Sequence, residues 1–139
     1  MRVVLDANTL ASGALSSTGA IAQLMDGWLT EGRFAVVSSD MILDEVERAL
    51  RKRYFASRLA ARDRSAFIDL LRREALMVVP RTDVGRVAAD PADDHVLATA
   101  VDGEASYLVT GDHALLALAE FRGVRIVTAR ELLTLLDLS

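Results

Sequence analysis

Four acids stand where a carboxylate has no evident packing purpose. Asp6 ends the apolar run of MRVVLDANTL, Glu45 lies in SSDMILDEV, Asp94 in DPADDHVLATA and Asp112 in LVTGDHALL. Carboxylates brought close together repel, and some take up protons unless a cation neutralises them. The chain has no cysteine and only two histidines, His95 and His113. A thiolate metal site is therefore excluded, and the ion implied by the acids is hard and oxygen-loving. Mg²⁺ or Mn²⁺ fits, bound by one or two carboxylates with waters completing the octahedron. Such an ion activates water and stabilises charge on a phosphoryl group.

Each acid taken alone also has a plain structural reading. Asp6 can open a turn. Asp112 follows Gly111, which permits a tight turn, and it makes a good N-cap. Glu45 can be an ion-paired residue at a helix edge. Asp93 suits an N-cap, and Asp93 and Asp94 in a first turn complement the helix dipole. Together with Asp90, however, they exceed what capping requires.

Those acids need elements to bring them together. Strand-like runs at Val3–Leu5, Phe34–Val37, Met77–Val79, Tyr107–Val109 and Arg125–Thr128 alternate with helical patterns. The helices are expected near Ala20–Glu31, Asp40–Arg53, Arg64–Ala75, Asp93–Val101, His113–Phe121 and Ala129–Leu136, with Tyr54–Asp63 helical too. Pro80 and Pro91 are expected outside these elements. The alternation predicts an α/β/α sandwich around a central five-stranded parallel sheet. In such sheets sites form beyond the carboxyl ends of the strands. Asp6 and Asp112 then lie at one edge, with the first strand central. On the helix after the second strand, Ile42, Val46, Ala49 and Leu50 form a buried stripe that Glu45 borders. Asp94, three residues before Leu97, leans towards the core side.

Composition sets the limits. At 139 residues, 52% hydrophobic and 26% charged, the chain reads as one globular domain over residues 1–139. The lack of cysteine fits a cytoplasmic setting. No apolar run approaches a membrane span, and the first residues do not read as a signal peptide. The net charge of -4 is uneven: Arg48 to Arg73 holds nine basic residues against Asp63 and Asp69, or +7, leaving -11 elsewhere. That block suits either nucleic-acid phosphates or a solvated helical face.

These motifs resemble the PIN domain, the fold of VapC-type toxins of bacterial toxin–antitoxin pairs, over essentially the whole chain. Asp6-Ala7-Asn8 matches its D-x-N after the first strand, and Glu45 its helical acid. Asp94 to Ala100 matches its D-x-x-[IL]-A-x-A spacing, and Asp112 its last acid. One position departs: Ala114 stands where many relatives carry a further acid, which puts a fifth ligand or second metal in doubt. The resemblance implies a Mg²⁺- or Mn²⁺-dependent ribonuclease acting with a cognate antitoxin as a homodimer. Asp6, Asp94 and Asp112 would hold the ion, and Glu45 would complete the pocket and orient or deprotonate the attacking water. Asn8, Thr110, Ser39 and Asp93 would support them, and Arg48, Arg51, Lys52 and Arg53 become candidate RNA contacts.

Two other readings compete. A catalytically inactive PIN-like module would bind RNA or protein through the same surfaces. A haloacid-dehalogenase-type phosphatase would also place an Asp after the first strand. Asn8 replaces its second Asp, its late G-D-x-x-x-D motif is absent, and Lys52 is the only lysine.

Overall fold

The computed structural model describes residues 1–85 and 91–137. Among the described residues six strands form one sheet: β1 (Arg2–Leu5), β2 (Ala35–Ser38), β3 (Leu76–Met77), β4 (Tyr107–Val109), β5 (Glu120–Phe121) and β6 (Val124–Val127). Their order is β3-β2-β1-β4-β6-β5. Five run parallel, as the alternation predicts, and β1 is interior. Buried on both faces, Val3, Val4 and Leu5 lose all solvent exposure. Each such side chain contributes about 1.5–3 kcal/mol, so the residue that follows stands on a fixed base.

The sixth strand is a departure from the sequence reading, which carried a helix through Phe121. The chain instead reverses at Arg122 and Gly123, with φ of 49° and 87°. Phe121 and Val124 pair across this two-residue loop. Positive φ at both central residues matches the twist of a tight hairpin, and β5 follows from it.

Helices α1 (Ala7–Gly13), α2 (Gly19–Leu29), α3 (Asp40–Leu50), α4 (Arg53–Ala56), α5 (Ala61–Glu74), α6 (Pro91–Asp102), α7 (His113–Leu118) and α8 (Ala129–Asp137) flank the sheet. Helix α6 packs against β1, β2 and β4, α3 against α1 and α5, and α2 against α8. On α3 the expected stripe is buried, joined by Leu43. Trp28 belongs to the core.

Three more boundaries differ from expectation. Helix α1 has no amphipathic signal in the sequence, because ANTLASG is short and rich in small and polar residues. It forms because Asp6 caps it and Ala7, Thr9, Leu10 and Ala11 are buried. Helix α6 begins at Pro91, not beyond it, since proline suits the first helical position. The stretch expected to be helical from Tyr54 to Asp63 breaks between α4 and α5.

Candidate functional site

Asp6 is both a cap and a buried acid. It is 8% exposed. Its Oδ1 accepts from the Thr9 amide at 2.8 Å and its Oδ2 from the Thr110 hydroxyl at 2.5 Å. Sheet register explains the second bond. Leu5 pairs with Val109 in parallel, so the next residues, Asp6 and Thr110, leave adjacent strands side by side. The Asp6 amide also donates to the Val109 carbonyl at 3.1 Å. The Thr110 hydroxyl in turn accepts from the Asp112 amide at 3.0 Å. Asp112 caps α7, its Oδ1 accepting from the amides of Ala114 at 2.7 Å and Leu115 at 3.2 Å. The capping and site readings of Asp6 and Asp112 are thus compatible. The cap fixes where each carboxylate stands.

Asp6 and Asp112 line one cavity of about 510 Å³, together with Glu45 and Asp93. Glu45 is half-buried beside the stripe of α3, as expected. Helix α6 contributes Asp93 to the lining, with Ala92 and Val96; Asp94, also half-buried, is not among the lining residues. Asp93 lies three, four and seven residues before Val96, Leu97 and Ala100, and Asp94 three and four before Leu97 and Ala98, all buried, so both acids adjoin the buried side of α6. Asp90 lies outside the described residues.

The donors suit a hard cation, being carboxylate oxygens around an open cavity. Among the described residues no three acidic or imidazole side chains are grouped closely enough to hold one ion. The fit is therefore to a hydrated ion held by one or two carboxylates with waters, the habit of Mg²⁺.

The supporting residues separate. Thr110 bonds Asp6 directly. Asn8, the second residue of α1, stands exposed on the cavity wall. Ser39 is buried, and its hydroxyl accepts from Thr99 Oγ1 at 3.1 Å, tying the start of α3 to α6. Of the four cations, Arg48 and Lys52 line the cavity. Arg51 is drawn elsewhere: it donates to Glu47 at 2.8 Å and holds that carboxyl below its ordinary range. Arg53 is exposed on α4. His95 and His113 are exposed. The spacing of four between Arg48 and Lys52 is the sequence signal that pairs these two cations within the run.

The family model of the PIN domain matches residues 2–114. No curated protein matches the chain by sequence. Among solved structures, VapBC2 from Rickettsia felis, crystallised with a DNA fragment from its promoter, aligns with a TM-score of 0.58 at 12% identity, covering 91% of this chain and 97% of that one. VapC20 from Mycobacterium tuberculosis, described as a toxin that cleaves the sarcin-ricin loop, aligns with a TM-score of 0.57 at 15% identity, covering 88% of this chain and 98% of that one. At these identities the likeness is one of fold. Among the described residues no helix is long and apolar enough to cross a membrane.

Proposed function

Because the chain belongs to the PIN-domain family, we propose that it is a Mg²⁺- or Mn²⁺-dependent endoribonuclease, the toxin of a toxin–antitoxin pair. One observation carries this reading: Asp6, Glu45, Asp93 and Asp112 share a cavity wall with Arg48 and Lys52. Acids alone would suit an ion, and cations alone a phosphate. Both around one opening suit a phosphodiester brought to an ion.

Of Asp6, Asp112 and the Asp93–Asp94 pair, one or two would hold the hydrated ion directly and the others through its waters; the ion would supply water activation and charge neutralisation at phosphorus. Thr110 keeps Asp6 from rotating. Glu45 lines the same cavity from α3, where it would orient the attacking water and take its proton. Arg48 and Lys52 draw the RNA backbone in and offset its charge against the acids. A cytoplasmic setting, self-association into a homodimer and an antitoxin partner accompany this reading. The fold likeness to a VapBC complex supports the antitoxin.

The test is Asp6→Asn. Asparagine caps a helix as well as aspartate, so the fold should survive. Purified parent protein should cleave RNA with Mn²⁺ or Mg²⁺ and stop on chelation, while Asp6→Asn should lose at least about a hundredfold in rate, the scale of one transition-state contact. Equal cleavage by both would sink the reading. One rival, an inactive RNA-binding module, would use the same two cations on the cavity lining. RNA binding without any metal-dependent cleavage would select it.

A further inference from the structure

Tyr54 is an exposed aromatic inside a cationic run. Lys52 and Arg53 precede it and Arg58 follows. The residue is 61% exposed, yet its ring is held on two sides. Phe55 meets it edge-on, with centroids 5.1 Å apart at 84°. The Arg58 guanidinium lies 4.1 Å from the ring centroid. Arg58 is itself anchored, its Nη1 donating to the Tyr54 carbonyl at 2.7 Å and to the Ser57 hydroxyl at 3.2 Å. A cation fixed to the same turn thus backs the ring, at a distance where the π-face attracts it.

The position gives this arrangement a purpose. Lys52 is the N-cap residue of α4 and lines the acidic cavity. Tyr54 follows two residues later on that short helix. Arg48 and Lys52 on the cavity lining and the Tyr54–Arg58 pair thus follow one another closely along one cationic stretch of chain. A single-stranded polynucleotide asks this of a surface: charges that track phosphates and a flat ring on which a base can stack. Such stacking tolerates any sequence, because every base has a π-face. A base locked inside a duplex has no free face to offer.

We propose that Tyr54, backed by Arg58, is a stacking platform for an unpaired base of the RNA whose phosphate enters the cavity. This rests on the ribonuclease reading and adds to it the side chain that would hold an unpaired base.

Fluorescence anisotropy in EDTA, where no cleavage intervenes, tests this apart from catalysis. The probes are a labelled single-stranded oligoribonucleotide and the same strand annealed to its complement. Tyr54→Ala should bind the single strand about tenfold more weakly than the parent, the scale of one stacked base. Tyr54→Phe should stay within about twofold, since it keeps the ring. All three should bind the duplex alike. Unchanged single-strand affinity in Tyr54→Ala overturns the proposal, as does an equal loss on the duplex or an equal loss in Tyr54→Phe. If Tyr54→Ala spares RNA binding but lowers the sedimentation coefficient, the face is a protein contact and the proposal is again overturned. Failure of the parent to cleave, with Tyr54-dependent binding intact, would remove the nuclease reading and leave the platform. Cleavage by the parent with binding indifferent to Tyr54 would do the reverse.

Discussion

The Thr110 hydroxyl donates to Asp6 Oδ2 at 2.5 Å and accepts from the Asp112 amide at 3.0 Å, joining two acids 106 positions apart in sequence through one buried oxygen. Thr110 is 2% exposed. Water cannot readily replace its hydroxyl there, so both partners depend on it.

Thr110→Val tests that dependence, since valine keeps the shape and removes the oxygen. It should leave one Asp6 oxygen and the Asp112 amide short of a partner and destabilise the fold by about 1–3 kcal/mol, read from urea midpoints. Metal-dependent cleavage should fall by about 10–100-fold, the usual cost of losing a residue that orients a ligand. A stability loss with cleavage intact would make Thr110 a fold residue only.

The acid pair that opens α6 makes a second prediction. Asp93 lines the cavity, and Asp94 is not among its lining residues. Asp93→Asn should therefore weaken Mn²⁺ binding in a calorimetric titration by about 10-fold or more, the scale set for metal-site residues. Asp94→Asn should weaken it less. The reverse order would place the carboxylate given by the family spacing in the site.

How much of this was legible in the sequence depends on how far each residue's neighbours lie along the chain. The parallel sheet followed from alternating patterns, and Glu45 followed from the stripe of α3, both local signals. The Asp6–Thr110 bond was not readable, because it depends on the register of β1 against β4. Asp93 lines the cavity, and a single anchor such as Leu97 cannot tell it from Asp94, because every residue from Val96 to Ala100 is buried. Helix α1 carries no amphipathic period in its seven residues. It is made by its cap and by burial beneath α3, both tertiary facts. The β5–β6 hairpin hides behind Arg122, a residue that rarely takes a positive φ.

The cations divide by what faces them. Arg48 and Lys52 line the cavity, and Arg51 is tied to Glu47. Lys52→Ala should weaken single-stranded RNA binding and lower the slope of log affinity against log salt by about 0.7, one phosphate contact on a single strand. Arg48→Ala should do the same. Arg51→Ala should change neither affinity nor slope, because its charge is already answered on an exposed face. Equal slopes for all three variants would return the block to a solvated helical face.

The last prediction concerns pH and the far end of α6. Asp102 Oδ2 accepts from the amides of Arg81 at 2.5 Å and Thr82 at 2.9 Å, and its Oδ1 accepts from the Thr82 hydroxyl. These bonds, the Thr82 hydroxyl foremost, favour the charged form and hold the carboxyl below its ordinary value of 3.8. A carboxyl whose folded pKa is depressed adds stability that is complete above its unfolded value. That stability drains away as pH falls through the lower folded value. Asp102→Ala should therefore lower the urea midpoint at pH 7 and at pH 5 by equal amounts. Below the ordinary value of 3.8 the gap between parent and variant should close. The comparison must be the difference between the two proteins, since other acids also titrate there. A gap that persists at pH 3, or widens, would mean that the charge of Asp102 does not hold the chain leaving β3 against the end of α6.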